Sequence, residues 1–188
     1  MKYSNLNKKG NEIYFDDSEN AIDSLETALF LFNRNGNSKW KWIAISLQHS
    51  LYSFCISSLN KGNYERVSFV KGKQARHYLI SPKVALNRIK KVKYYSYSNG
   101  TPREIPFLIS SEEQKALDYL LYEIRNNFVH FIPKVESISI NKLKEACSIA
   151  LKIIDFIATK SNTITFIDFD DSQQRIKKSI AGLQSILK

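Results

Sequence analysis

Arg125, Asn126 and His130 are the residues whose types and spacing best fit proton-transfer chemistry. In a regular helix, a spacing of four places Asn126 and His130 one above the other, so that the amide can orient the imidazole. Arg125 lies about 140° around the axis from His130 and about 7.5 Å along it, and its long side chain can swing toward the same cleft. A histidine near a helix C-terminus has its charged form favoured, which keeps its pKa near neutrality and suits it to proton transfer.

The helix that must position these residues is predicted to begin at a cap, Ser110 or Ser111, and to end near Phe131, because Pro133 disfavours the helical conformation in the residue before it. Apolar residues recur at three- and four-residue steps in four further segments. These predict helices from a cap at Asp17 or Ser18 to about Arg34, from Ser38 to about Asn60, from about Ile140 to Lys160, and from about Ser172 to Leu187. Thr163 to Phe169 is interpreted as an extended connector, and Asp168, Asp170 and Asp171 as a cluster that precedes and caps the last helix.

The chain is therefore predicted to be one all-α domain over residues 1–188, a bundle of four or five helices with a basic insertion at about 61–109. In the second helix the predicted buried stripe runs through Trp42, Ile45, His49, Tyr52, Ile56 and Leu59, widened by Trp40, Leu47, Leu51 and Phe54. His49 is interpreted as a core or cleft histidine. Gln48 and His49 are candidates to line the catalytic cleft if that helix packs on the motif helix.

The positive charge is concentrated in the insertion. The chain has 28 Lys and Arg against 18 Asp and Glu, a formal net charge of +10, and residues 61–103 hold eleven of the basic residues with Glu65 as their only acid. The rest of the chain is neutral. Tyr and Phe residues lie between these cations, a pattern typical of surfaces that bind single-stranded nucleic acid. The alternative is a solvated insertion kept soluble by its lysines.

Within the insertion, two segments around a turn, Arg66–Val70 and Arg76–Ile80, predict a β-hairpin. Ser81 and Pro82 predict the start of a short helix to about Val92, and Tyr94 to Pro106 is predicted to be a loop. His77, beside Arg76, is interpreted as an RNA contact or a plain surface residue. The predicted RNA-binding residues are Lys71, Lys73, Arg76, Lys90, Lys91 and Lys93.

Several classes of protein are excluded by the composition. No apolar run approaches the roughly 18 to 20 residues that cross a bilayer, and no apolar stretch of a secretory signal follows the first lysines, so we expect a cytoplasmic protein without membrane contact. Cys55 and Cys147 each lie in an apolar helical pattern and are expected to be reduced core thiols. The three His and two Cys are not at ligand spacing, so we expect neither a metal nor a cofactor.

The string R-N-N-F-V-H-F at residues 125–131, at the end of a helix in an all-α bundle, resembles the R-x4–6-H motif of the HEPN superfamily. Asn126 stands directly after the Arg, as that family favours, and the motif is most similar to that of small bacterial HEPN proteins in which Pro follows shortly. The resemblance extends over the bundle from about Asp17 to Lys160. Its specific part is these few residues.

This resemblance implies a metal-independent endoribonuclease that acts as a homodimer, with Arg and His of two protomers meeting at a two-fold interface. Arg125 would bind the phosphate and stabilise the transition state. His130 would shuttle the proton, and Asn126 would orient the ring of His130. The resemblance also implies a role as a toxin or phage-defence effector and an antitoxin or other regulatory protein partner. The alternative is a HEPN-like module that binds RNA or a protein without cleaving anything.

Two positions depart from the family pattern. Toxins of the family that are silenced by nucleotidylation have a Tyr two residues after the His, and this chain has Ile132. Asn127 stands where close relatives often have an acid. Control by nucleotidylation is therefore not expected. The electrostatic potential around Arg125 is expected to be less negative than in those relatives.

Overall fold

The computed structural model describes residues 16–60, 63–72, 76–91, 109–124, 137–161 and 163–187. These ranges contain six helices and one two-stranded β-hairpin, which confirms the all-α class with a hairpin in the insertion. The helices are α1 (Asp17–Phe32), α2 (Lys39–Asn60), α3 (Pro82–Ile89), α4 (Ser111–Asp118), α5 (Ile140–Asp155) and α6 (Phe169–Leu187), and the strands are β1 (Ser68–Lys71) and β2 (Arg76–Leu79). In this part of the chain no helix combines the length and the apolar character that crossing a membrane requires.

The helix starts follow from short polar side chains that accept hydrogen bonds from otherwise unpaired backbone N–H groups. Ser110 and Glu113 form a reciprocal capping box at α4, and Ser81 caps α3 with Pro82 in its first turn; both caps are as predicted. The predicted cap of α1 is wrong by one or two residues. Asp16 accepts from the N–H of Glu19 at 2.8 Å, while Ser18 donates its hydroxyl to the same carboxylate oxygen at 2.6 Å.

Helix ends and connectors differ from the predictions by a few residues. α1 ends at Phe32 rather than Arg34, and α3 ends at Ile89 rather than Val92. α6 begins three residues earlier than predicted, because Asp168 accepts from the N–H of Asp171 at 3.1 Å and starts the helix there. Asp170 and Asp171 therefore lie in its first turn instead of before it. The predicted loop at residues 94–106 lies outside the described residues.

α2 is the central helix, and its buried face agrees with the predicted one only in part. Trp42 is 45% exposed and His49 is also exposed, so the predicted stripe is wrong at these two positions, whereas Ile56 and Leu59 are buried as predicted. The buried face contains Leu47, Leu51 and Phe54, which are at most 1% exposed, and α2 packs against α1, α5 and α3. Trp42 and His49 stay exposed because Trp and His have polar edges that tolerate water, whereas Leu and Phe side chains have none.

Two helices continue into wider π-helical turns. α4 continues as Tyr119–Ile124 and α5 as Phe156–Lys160. At the end of α5, polar side chains satisfy the carbonyl groups of the wide turn, since Ser161 donates to the Ile157 carbonyl at 2.6 Å and Gln173 donates to the Ala158 carbonyl at 2.8 Å. The predicted span from Ile140 to Lys160 is confirmed, although its last turn is not α-helical.

α6 is fixed on α1 by a half-buried arginine. Arg175 donates to Glu26 at 2.7 and 3.0 Å and to Glu19 at 3.1 Å. The hydrogen bonds to Glu26 are the main reason that the pKa of Arg175 is raised above its usual range. Further along both helices, Gly182 lies so close to Leu29 that a Cβ there would be 2.7 Å from Cδ1 of the leucine. The two helices therefore run side by side in the same direction.

The placement of α2 predicts a contrast between two phenylalanines. Phe54→Ala should destabilise the protein by about 3–5 kcal/mol, because it leaves a cavity in the core where Phe54 is fully buried. Phe30→Ala, at a position on α1 that is 71% exposed, should change stability by less than about 0.5 kcal/mol. Urea unfolding measures both changes, and equal losses would contradict this packing of α2.

Candidate nucleic-acid interface

The hairpin of the basic insertion forms as predicted, with a shifted first strand. β1 and β2 are antiparallel, Phe69 pairs with Tyr78 and Lys71 with Arg76, and Gly72 has a φ of +82° after the end of β1. A positive φ is a conformation that glycine adopts without steric cost. β1 begins at Ser68 rather than Arg66, because residues 64–66 form a 3₁₀ turn that is capped by Asn63.

One face of the hairpin carries both aromatic rings and cations, and we call it the aromatic–cation face. The rings of Phe69 and Tyr78 stack with their centroids 5.8 Å apart and their planes 25° apart. Side chains two residues apart on a strand point the same way, so Lys71 and Arg76 share this face with the rings. Phe69 is 46% exposed and Tyr78 is 44% exposed. The arrangement offers flat apolar rings to bases and positive charges to phosphates.

The opposite face of the hairpin carries Ser68, Val70, His77 and Leu79, and we call it the His77 face. The Tyr64 ring from the 3₁₀ turn lies 5.9 Å from the ring of His77, and the hydroxyl of Ser68 lies 3.5 Å from Nδ1 of His77. Val70 and Leu79 are each about half exposed. The aromatic and apolar side chains of this hairpin therefore face solvent on both sides.

Arg88 of α3 and Tyr52 of α2 hold the hairpin on the bundle. The guanidinium of Arg88 donates to the Arg66 carbonyl at 2.5 Å and to the Glu65 carbonyl at 3.4 Å. The hydroxyl of Tyr52 donates to the Ile80 carbonyl at 2.5 Å. In the sequence Arg88 is only one more positive charge, because nothing in its local pattern marks an arginine that binds backbone carbonyls.

The six predicted RNA-binding residues do not all have the same surroundings. Lys71, Arg76 and Lys91 are exposed. Lys90 is half-buried and donates to Oε1 of Gln114 on α4, and burial lowers its pKa below the usual value, partly offset by Asp118. Lys90 thus joins α3 to α4. Lys73 and Lys93 lie outside the described residues.

The predicted catalytic residues Arg125, Asn126 and His130 also lie outside the described residues, which end at Ile124 in this part of the chain. The turns just before them are packed on the bundle. Tyr119, Leu120, Leu121 and Ile124 are buried, and the π-helical stretch contacts both α2 and α5.

Gln48 and His49, the two α2 candidates for the cleft, face different surroundings. Gln48 is only 3% exposed, and its Oε1 has no hydrogen-bond partner within the described part of the chain. The exposed side chain of His49 lines a pocket between α2, the end of β2 and the start of α3. Its interpretation as a core histidine is wrong, and its position in the catalytic cleft stays a prediction.

Within the described residues, the cysteines and the acidic residues are poorly suited to bind a metal ion. Cys55 and Cys147 are free and buried, as predicted, and burial raises the pKa of the Cys147 thiol to about 12 and that of Cys55 still further. A thiol that stays protonated is a poor nucleophile and a poor ligand. Within the described ranges, no group of three or more His, Cys, Asp or Glu residues is placed to hold a metal ion.

No protein-family model, curated protein or solved structure matches this chain. The residues themselves, their geometry and their charge therefore carry the functional conclusion.

The anchoring role of Arg88 predicts a local effect of its removal. Arg88→Ala should destabilise the hairpin by about 1.5–3 kcal/mol, the range for hydrogen bonds to a charged group. Amide hydrogen exchange in residues 68–71 should then become roughly tenfold faster or more, with exchange in α2 unchanged. Lys91→Ala removes an exposed charge just after α3 and serves as the control. Equal exchange rates in the two variants would show that Arg88 does not anchor the hairpin.

Proposed function

We propose that this protein is a HEPN-type endoribonuclease that binds RNA on the aromatic–cation face of its hairpin and cleaves it without a metal ion. The observation that carries the proposal is the stacked Phe69–Tyr78 pair beside Lys71 and Arg76, exposed on a hairpin that lies within the positively charged quarter of the chain. The partner of such a surface is a polyanion with flat bases, which describes single-stranded or locally unpaired RNA.

Charge and stacking act on different parts of the RNA. Lys71 and Arg76 neutralise phosphates and release counterions, which supplies affinity that falls as salt rises. The rings of Phe69 and Tyr78 contact bases, and stacking of this kind contributes roughly 1–3 kcal/mol per base. Because neither interaction reads a base edge, this face binds RNA with little preference for sequence.

The proposed chemistry uses the motif residues. The ribose 2′-OH attacks the adjacent phosphorus, the bond from phosphorus to the 5′-oxygen breaks, and the products are a 2′,3′-cyclic phosphate and a 5′-OH. His130 moves the proton, from the 2′-OH or to the leaving 5′-oxygen, and Asn126 orients its ring. Arg125 stabilises the charge that builds on the phosphoryl oxygens. A homodimer brings two such sets into one cleft by two-fold symmetry.

The biological role in this proposal is that of a cytoplasmic toxin or phage-defence effector held in check by an antitoxin or other regulatory protein. Its support is the resemblance of the R-N-N-F-V-H-F string to the HEPN motif. The all-α bundle agrees with that family but does not define a function by itself.

The cleavage step is tested with labelled RNA of mixed sequence in excess EDTA. Wild-type protein should cleave it and leave cyclic phosphate ends, and His130→Ala should cleave at least about a hundredfold more slowly, the usual loss of a general acid–base group. The two proteins should have the same circular dichroism spectrum and bind an uncleavable RNA equally well. A difference in cleavage then reflects neither folding nor affinity. Equal cleavage by the two proteins would remove His130 from the mechanism.

A second candidate function is RNA binding without cleavage, and the same aromatic–cation face favours it. It becomes the better description if well-folded wild-type protein binds the RNA but leaves it intact.

The composite site of the endoribonuclease requires a dimer. Light scattering at high micromolar protein concentration should therefore give twice the chain mass of 21.7 kDa, and a strict monomer would contradict a site shared by two protomers.

The binding face is tested by its salt dependence. Removing two phosphate contacts with Lys71→Ala/Arg76→Ala should reduce the slope of log affinity against log salt by about 1.4, or roughly 0.7 for each contact with a single strand. The matched control is Lys177→Ala/Lys178→Ala, which removes two exposed lysines from α6, a helix that packs on α1 and α5. An equal fall in both variants would mean that overall charge, and not this face, binds the RNA.

A further inference from the structure

A pocket of about 390 Å³ opens where the hairpin joins the bundle. Its described lining comes from three elements: α2, the end of β2 with the residue that follows, and the start of α3. The lining residues are His49, Tyr52, Ser53, Leu79, Ile80, Ser81 and Pro82. Its volume falls within the roughly 300–1,000 Å³ of small-molecule sites, and we call it the root pocket.

The walls of the root pocket combine apolar surface with a few hydrogen-bonding groups. Leu79, Ile80 and Pro82 supply apolar walls, and the imidazole of His49 and the hydroxyl of Ser53 supply polar atoms. The hydroxyl of Ser81 accepts from the N–H of Val84, which leaves its own proton for donation. A flat heterocycle with donors and acceptors on its edge fits such a lining better than a purely apolar ligand or an isolated ion.

The pocket is rigid on the side of the hairpin. The hydroxyl of Tyr52 and the N–H of Ile80 are both used in hydrogen bonds, to the Ile80 and Val67 carbonyls, at 2.5 and 2.9 Å. These bonds fix a lining ring and the backbone beside it. Because the wall is held in place before any ligand arrives, binding costs little ordering of the protein.

The root pocket continues the surface of the hairpin and of α2. Leu79 lies on the His77 face, so the exposed pair of Tyr64 and His77 leads along β2 toward the pocket. On α2, exposed Trp42 stands two turns before His49, about 10.5 Å away along the axis, and the ammonium of Lys41 lies 5.0 Å from the centre of its ring. Aromatic side chains thus lie on the hairpin side and on the α2 side of the pocket, and a lysine lies beside them on α2.

We propose that the root pocket binds one nucleobase of a single-stranded RNA whose phosphates are held by the hairpin cations. This inference rests on the RNA-binding part of the proposed function and adds a place where base identity is read. The charge of the insertion identifies the occupant as part of a polyanion. β2 spans only about 13 Å. Arg76 points to the aromatic–cation face and Leu79 lines the pocket from the opposite face, so RNA held at Arg76 crosses the outer edge of β2 and reaches the pocket within a few nucleotides.

The base is tested apart from the phosphate by NMR. Adenosine and uridine, which carry no charge, should shift the ring protons of His49 at millimolar concentration, whereas ribose 5-phosphate should not. The resonance is assigned by its loss in His49→Ala. An equal shift with ribose 5-phosphate would make this an anion site and overturn the proposal, as would the absence of any shift with all four common nucleosides.

A filled pocket tests the same inference with RNA. Ser53→Tyr places a ring in the pocket and should weaken binding of 2′-O-methyl octamers of A or U by roughly five- to 150-fold, the usual contribution of one base contact. The salt slope should stay unchanged, because the phosphate contacts remain. Ser57→Tyr is the matched control, since Ser57 is also half-buried on α2, one turn further on, and does not line the pocket.

The outcomes separate this inference from the proposed function. If Ser53→Tyr binds the octamers as tightly as the wild-type protein does, the proposal of a base in the pocket is wrong. RNA binding by the hairpin and the cleavage step would be unaffected by that result. If the wild-type protein binds nucleosides at His49 but never cleaves RNA, the base-binding pocket is supported and the proposed endoribonuclease activity is contradicted. If Ser53→Tyr is misfolded by circular dichroism, the nucleoside titration of the wild-type protein decides alone.

Discussion

The structure depends on the two-sided packing of α2. One face of this helix is buried against α1 and α5, where Leu47, Leu51 and Phe54 exclude water almost completely. Another side carries Tyr52, whose hydroxyl holds the backbone beside the hairpin. The orientation of α2 about its axis therefore determines both which side chains form the core and where the basic insertion is held. The proposed RNA surface is positioned on the bundle by this one helix.

Local signals in the sequence were enough for most helix starts and for the hairpin. Ser110 with Glu113 and Ser81 with Pro82 act through hydrogen bonds within one turn, so no distant contact is needed to recognise them. The hairpin was predictable because polar turn residues separate two short segments. The buried face of α2 was predictable in part: Leu47, Leu51 and Phe54 are buried as predicted, whereas Trp42 and His49 belong to the same apolar pattern and face solvent.

Long-range contacts explain what the sequence left open at the candidate site. Arg88 binds carbonyls more than twenty residues away, and Lys90 reaches Gln114 on another helix, so neither role has a local pattern. The root pocket also combines residues that are about thirty positions apart. The charge of the insertion, by contrast, is visible in the composition alone, because clustering of cations requires no knowledge of the fold.

The four side chains of β2 are all exposed, and little of the core depends on them. Most substitutions on such a strand change stability by only a few tenths of a kcal/mol. The hairpin can therefore vary between related chains while the bundle stays folded. Selection for a new target would act first on this strand, and the substrate preference of the protein could diverge faster than its architecture.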